Sequence, residues 1–265
     1  MDLKVDTGGL QADGTGLSST STLAGAAPQC EPAAADPVSR QVATALTQWS
    51  QALWTLMEHA GRQREAGGVA LEGTSAHLGD IDGTNAANIS NAIAGDATQA
   101  SPAPPIPTPM ASVPVPTLPL IPNLPSPPPM TGEQVSGTVH SGPGPDRLRA
   151  FAQQWRNTVA PHIQTTADEA RRYGNSVQQN WDDGDPQAGR NVIEHADWLE
   201  SALHPHALSL ADAADEAARH AQTVIDNTAR PEEFRDIHTR LNTAEANYRA
   251  SGGRNAGQLI ALNNE

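Results

Sequence analysis

The stretch "NSVQQNWDDGDPQAGRNVIEHADWLESAL", residues 175–203, places a tryptophan, a glycine and a proline within six residues, between two apolar helical runs. Gly184 is suited to end a helix in the left-handed conformation that glycine tolerates. Asp185 and Pro186 are favoured at the N-cap and at the first position of the helix that follows. The stretch therefore predicts a turn between two helices, with Trp181 as a core residue at the end of the first.

The helices on both sides of this turn carry long apolar stripes. From Val192 to Val224 apolar residues recur at alternating intervals of four and three, which is typical of left-handed packing against neighbouring helices. Pro205 lies off this stripe and is expected to bend the helix. The preceding helix opens with "GPDRLRAFAQQW", and its stripe shifts by one residue at Pro161, where we predict a kink. A last helix is predicted from Pro231 onward.

The N-terminal third of the chain predicts a helical hairpin. Asp36 and Pro37 are a favourable N-cap and first position for a long helix, which we expect to extend to residue 81. Its predicted buried stripe is Val42, Leu46, Trp49, Leu53, Leu56 and Ala60. Residues 7–24 are predicted to form a shorter partner helix. Residues 83–100 are of low complexity and are expected to be frayed.

A proline tract separates this hairpin from the helices around the turn. Residues 101–145 hold 15 of the 22 prolines, which predicts an extended linker of polyproline II character. A hairpin with one apolar stripe leaves that stripe in water, so packing the two halves together covers both. The predicted fold is all-α, an elongated antiparallel helical bundle. Its parts are a hairpin at 1–97, a linker at 98–145 and a helical domain at 146–265.

Composition excludes several classes of function. The net charge of −14 leaves no basic surface for nucleic acid, and it disfavours electrostatic docking to anionic lipid. No apolar run reaches the roughly 18 residues of a membrane span. The N-terminus lacks the charged and apolar regions of a Sec signal peptide. Cys30 is the single cysteine, so no disulfide can form within the chain.

No motif of catalysis or cofactor binding was found. The sequence lacks a nucleophile elbow, a phosphate loop and a dinucleotide fingerprint, so we predict no enzymatic activity and no cofactor. "DIDGTN" at 80–85 is similar to a calcium loop, but Asn91 stands where a bidentate Glu is required. Three histidines, His195, His204 and His206, are expected on a solvated helical face, and we predict no metal site. Trp54 lies off the predicted stripe, which makes it the best candidate for a contact between subunits.

The turn and the helix after it also resemble a known family. "NWDDGDPQAGRNVIEHADWLESAL" is similar to the Trp-x-Gly turn and following helix of the PPE-type domains of mycobacterial type VII (ESX) secretion, and "ARPEEFRDIHTRLNTAEANY" resembles the next helix. The helix at 37–81 corresponds to the second PE-like helix. Here the turn is one residue longer, from Trp181 to Gly184. The family's export signal is Tyr-x-x-x-Asp/Glu, and Leu78 stands in place of its tyrosine, with Asp82 at the acidic position.

This resemblance implies a PE-like hairpin at 1–97 and a PPE-like domain at 146–265. It implies a non-enzymatic secretion substrate that self-assembles at the mycobacterial cell envelope. The implied partners are further copies of the chain, the type VII secretion machinery and envelope phospholipid. The implied location is outside the cell or at the envelope, or the cytosol if the degenerate export motif does not function.

Two alternatives stay open on the sequence. The region is a helical export leader if the open reading frame continues into an enzyme or toxin, although "ALNNE" ends this sequence without a catalytic domain. A cytosolic adaptor or chaperone for secreted helical hairpins is favoured by the missing tyrosine at Leu78.

Overall fold

The structure of the chain, a computed structural model, is all-α. It describes residues 5–20, 23, 25–94, 129–181, 186–252, 257 and 260–261. The helices before the proline tract are α1 (Thr7–Ser18) and α2 (Pro37–Ile93). Those after it are α3 (Gly132–Val139), α4 (Asp146–Gln154), α5 (Ala160–Asn180), α6 (Pro186–Trp198), α7 (His204–Asn227) and α8 (Pro231–Ala250).

Helix α2 is longer than predicted. It is a single helix of 57 residues that ends at Ile93, so the expectation that residues 83–100 are frayed is wrong as far as that residue. No proline occurs between Pro37 and the start of the proline tract, and the backbone hydrogen bonds therefore continue unbroken. Asp36 caps the helix as predicted, because its carboxylate accepts a 2.9 Å hydrogen bond from the Ser39 amide. Helix α1 is shorter than the predicted 7–24 and ends at Ser18.

The buried face of α2 differs in part from the predicted stripe. Leu46, Leu53 and Ala60 are buried as expected, whereas Trp49 and Leu56 are only half-buried. Trp54 is buried, with 8% of its surface exposed, so the expectation that it lies off the buried face is wrong. The reason is geometric: a helix repeats every 3.6 residues, and over six turns the buried face drifts from an ideal heptad. A contact between subunits at Trp54 stays a prediction.

Two π-helical turns account for the irregularities around the prolines. In the first, Trp155–Val159, the amide of Ala160 donates to the carbonyl of Trp155, five residues earlier. Such a turn adds one residue, which explains the shift of the stripe that the sequence placed at Pro161. The second, Leu199–Leu203, comes directly before α7, near Pro205, where a bend was predicted. Since proline has no amide donor, it cannot continue the ordinary pattern there.

The chain forms two compact units, each assembled from segments on both sides of the proline tract. The first, unit 1, comprises residues 1–27, 49–120 and 154–210. Its core joins α1, α2, α5 and α6 through Leu10, Leu17, Leu71, Ala170, Val177 and Ala196. The packing of the N-terminal helices on the C-terminal ones within an all-α bundle is therefore confirmed. The division into three residue ranges stays a prediction.

Unit 2 comprises residues 28–48, 121–153 and 211–265. The segment before α2 binds the loop after α3, since the Ala35 amide donates a 2.9 Å hydrogen bond to the Ser141 carbonyl. Helix α3 is held in turn by the connection between α7 and α8, because the Ser136 hydroxyl donates 2.6 Å to the Ala229 carbonyl. Helix α3 lies inside the range assigned to the linker, so the extended conformation expected up to residue 145 is wrong for these residues. Most of the proline tract lies outside the described residues.

The reason for α3 is local. The prolines of the tract stop at Pro129, and Thr131 and Gln134 then form a capping box. The Thr131 hydroxyl accepts a 3.3 Å hydrogen bond from the backbone amide of Gln134. The Gln134 side chain in turn accepts a 2.9 Å hydrogen bond from the backbone amide of Thr131. These two bonds satisfy donors that a helix end leaves unpaired.

Candidate functional site

Trp181 lies directly after α5, where the chain enters the predicted turn. It forms an isolated antiparallel bridge with Val5 and packs, half-buried, against the core of unit 1. The sequence predicted a core tryptophan at the end of this helix; Trp181 contacts the core but is only half-buried. Gly184 and Asp185, the other residues of the predicted turn, lie outside the described residues. Pro186 begins α6, as predicted.

Asn180 joins the end of α5 to the beginning of α1. Its carbonyl accepts a 2.8 Å hydrogen bond from the Asp6 amide. Its side-chain amide donates a 2.8 Å hydrogen bond to the Asp13 carboxylate. Asp13 is 6% exposed, so this bond satisfies a buried carboxylate. Sequence analysis missed Asn180, because a polar residue beside a turn has no periodic signal that marks it as a contact.

The two export-motif positions lie on α2, one turn apart. Leu78 is half-buried and Asp82 is exposed. They follow Ser75, the last buried residue of α2. The Ser75 hydroxyl donates a 2.6 Å hydrogen bond to the Thr7 carbonyl. Beyond them, Ile89 and Ile93 are exposed. The acidic position is therefore available to a partner, and the leucine is partly covered.

The start of α1 contacts both segments that carry candidate motif residues. The residues that start α1 connect them, since Val5 pairs with Trp181 and Thr7 bonds to Ser75. Val5 and Thr7 are two residues apart, which limits the distance between these contacts to about 7 Å. Leu78 lies one helical turn beyond Ser75.

A buried polar cluster lies elsewhere in unit 1. Arg64 is 6% exposed, and its guanidinium donates a 3.1 Å hydrogen bond to the Thr20 hydroxyl. The same guanidinium lies 3.4 Å from Nε2 of His195. Burial lowers the pKa of Arg64 to about 10, while the charge of Glu169 opposes this change. Burial also lowers the pKa of His195 to about 4, and Arg64 and His59 add to the effect by repulsion. His195 is half-buried with its ring beside the Arg64 guanidinium, so the expectation that it lies on a solvated face is wrong.

A signal for this cluster existed in the sequence. Arg64 follows Ala60 by four residues, which places the two on the same face of a helix, although the 4-3 alternation of the predicted stripe continues at Gln63. The histidines near it behave differently from one another. His206 is exposed as expected, and His204 is half-buried. The Arg64 guanidinium beside the His195 ring disfavours a second positive charge on the imidazole.

The chemistry of the described residues is limited. Among them, no group of three His, Cys, Asp or Glu residues is placed to hold a metal ion. Residues 80–85, which are similar to a calcium loop in sequence, are helical. Burial raises the pKa of the Cys30 thiol to about 12, with a contribution from Glu31, so the thiol is a poor nucleophile. In the part of the chain that is described, no helix is long and apolar enough to cross a membrane.

Comparison with solved structures gives a match over the whole chain. The chain superposes on the structure described as "Crystal structure of EspB from the ESX-1 type VII secretion system" with a TM-score of 0.64. The match covers 99% of this chain and 91% of EspB, at 16% sequence identity. No protein-family model matches the sequence, and no curated protein does. At this identity the likeness concerns the arrangement of the helices, and the chain has the fold of EspB.

Proposed function

We propose that this chain is a non-enzymatic substrate of a type VII secretion system that self-assembles at the cell envelope. The single observation that supports this most is the fold likeness to EspB, which extends over nearly the full length of both chains. Export takes place through that system, and the partners are the secretion machinery, further copies of the chain and envelope phospholipid.

The part of α2 around Leu78 and Asp82, the export surface, supplies the export determinant in this proposal. Asp82 is exposed on a helix, one turn from Leu78, which is the geometry that a Tyr-x-x-x-Asp motif would have. Leu78 keeps the apolar part of the tyrosine contact but lacks the hydroxyl. We therefore expect recognition that depends on the carboxylate and is weaker than with tyrosine.

The test is fractionation of a culture that expresses the chain, with and without a functional type VII system. We expect the protein in the culture filtrate or envelope fraction only when the system functions. Asp82→Ala should reduce export on the order of tenfold, as loss of a charged contact does. Asp80→Ala is the matched control, since Asp80 is exposed on the same helix but is not one turn from Leu78. Leu78→Tyr should increase export.

A cytosolic adaptor for secreted helical hairpins is the second candidate, favoured by the leucine at position 78. Protein found only in the cytosol, with Leu78→Tyr making no difference, would support the adaptor and contradict export. The assembly part is tested separately by light scattering on the purified chain. A compact monomer at every concentration up to about 1 mM would contradict self-assembly.

A further inference from the structure

A long apolar groove lies within unit 2. Its volume is about 540 Å³, and it is lined by residues at the start of α2, on α3 and α4, and on the C-terminal part of α7. The lining is mainly aliphatic and includes Val42, Val139, Leu148 and Ala221. At its rim, Val38 and Val224 have about half of their surface exposed, at 50% and 49%. A concave apolar surface of this size falls within the range of small-molecule sites, about 300 to 1,000 Å³.

The polar groups that line the groove are engaged with the protein itself. The Asp36 carboxylate accepts from the amide and the hydroxyl of Ser39 at the start of α2. The Thr138 hydroxyl donates 3.0 Å to the Gln134 carbonyl, within α3. The His220 ring lies 2.8 Å from the Glu216 carboxylate. The groove therefore offers mainly apolar contacts to a ligand, because these polar side chains already form hydrogen bonds or ion pairs within the protein.

The lining of the groove includes one carboxylate, that of Asp36. Glu216, which adjoins the groove through His220, is also paired with Arg219. Among the described lining residues there is no lysine or arginine. An anionic phosphate or carboxylate head group would therefore approach Asp36 without a lysine or arginine of the lining to offset its desolvation. This charge pattern disfavours an anionic phospholipid or a fatty acid and favours a ligand without charge.

We propose that this groove binds the aliphatic chain of an uncharged amphiphile, such as a long-chain alcohol or its ester. The volume of the groove limits the length of the aliphatic chain. A dry cavity of about 150 Å³ accepts one benzene ring of six carbons, so a groove of about 540 Å³ accommodates on the order of 15 to 20 carbons. The ligand's hydroxyl or ester lies at the open rim, where water satisfies it, and its chain covers the aliphatic lining. This site is separate from the export surface, and its existence does not depend on how the chain is exported.

The test uses the purified full-length chain with three probes of equal chain length: 1-decanol, decanoate and decyl phosphate. Isothermal titration at pH 7 should show one equivalent of decanol bound. The two anions should bind on the order of tenfold or more weakly, because each brings a negative charge to an apolar groove that holds Asp36 and no lysine or arginine in its described lining. Decyl phosphate that binds as tightly as decanol, or no binding of decanol, would overturn the proposal.

Two variants on the same helix make the test specific to the groove. Ala221→Phe fills the groove and should reduce decanol affinity on the order of tenfold or more. Thr223→Phe adds the same ring at an exposed position of α7 that does not line the groove, and it should leave affinity unchanged. Val224→Glu, at the exposed rim, should also weaken decanol binding, and it tests the groove independently if Ala221→Phe does not fold. Equal binding by all three variants would contradict the site.

Other occupants of the groove predict different results. If a second copy covers it, light scattering of the ligand-free chain shows an oligomer that Ala221→Phe dissociates. If another part of the chain covers it, decanol binds only after residues 101–128 are deleted. Either result would overturn the proposal for the intact chain. A failure of export in culture leaves these measurements on purified protein unaffected, so the two proposals can fail separately.

Discussion

The side-chain amide of Asn180 donates a 2.8 Å hydrogen bond to the carboxylate of Asp13, linking two residues that are 167 positions apart in the chain. Asp13 is 6% exposed and lies on the face of α1 that packs against α5. A buried carboxylate needs such a donor, because leaving it unsatisfied costs the full free energy of its desolvation. This bond therefore couples the position of α1 to the end of the helix that carries Trp181.

Asn180→Ala should lower the free energy of unfolding by about 2 kcal/mol, because it leaves the Asp13 carboxylate buried without this donor. Urea denaturation followed by circular dichroism measures the change. The control is Asn175→Ala, at an exposed position of the same helix, which should alter stability by less than about 0.5 kcal/mol. Equal effects of the two substitutions would mean that the bond to Asp13 contributes nothing.

The stability of the chain should fall as the pH falls from about 6.5 to 4, owing to His195. Burial and the charge of Arg64 lower the pKa of His195 to about 4 in the folded chain, from 6.5. Between these values the unfolded state binds more protons than the folded state, so stability is full above pH 6.5 and is lost toward pH 4. The contribution is on the order of 2 to 3 kcal/mol.

Carboxylates also titrate in this range, so the contribution of His195 is measured as the difference in stability between two proteins. The free energy of unfolding of the native chain and of His195→Gln should be determined at several values between pH 4 and pH 7.5. Glutamine cannot take up the proton, so the pH dependence of the variant should be shallower by the contribution of His195. Parallel curves for the two proteins would show that the imidazole is not responsible.

The sequence predicted the helices and their packing because both depend on local rules. The capping pairs at Asp36–Pro37 and Asp185–Pro186 predicted the starts of α2 and α6. Covering apolar stripes then required the two halves to pack together. The shift of the stripe at Pro161 was also visible, although its cause is a π-helical turn, which no residue pattern specifies.

The contacts that build the candidate site could not be predicted in the same way. Thr7 meets Ser75, and Asn180 meets Asp13, across distances in sequence that periodicity does not connect. Each pair depends on the relative rotation of two helices about their axes. The side of α2 occupied by Trp54 was misassigned for the same reason. One residue of drift along a long helix rotates a side chain by about 100°.

Gly68 should tolerate no larger side chain. A Cβ atom there would lie 2.5 Å from the carbonyl oxygen of Gly14, and one on Gly14 would lie 2.7 Å from the carbonyl of Gly68. The two glycines let α1 approach α2 closely. We expect Gly68→Ala to cost about 1 to 3 kcal/mol of stability, because the backbone of α1 must move.

Gly73→Ala is the matched control for Gly68→Ala. Gly73 lies on the same helix, and a Cβ atom there has nothing within 4 Å. Alanine favours the helix over glycine by about 1 kcal/mol, so this substitution should raise the free energy of unfolding. Opposite signs for the two alanine substitutions, measured by urea denaturation, are the expected result. A gain in stability at both positions would mean that α1 does not pack closely on Gly68.

Trp54 gives a test between a role inside unit 1 and a role between subunits. It is 8% exposed and lines a small cavity with Met57, Ile163 and Leu199. Trp54→Ala should therefore cost about 3 to 5 kcal/mol of stability, as other large-to-small substitutions in cores do. This loss should be the same at protein concentrations of about 1 and 100 μM, because an interior contact does not depend on association. A loss that grows with concentration would instead place the indole between subunits, since association stabilises the folded state by mass action.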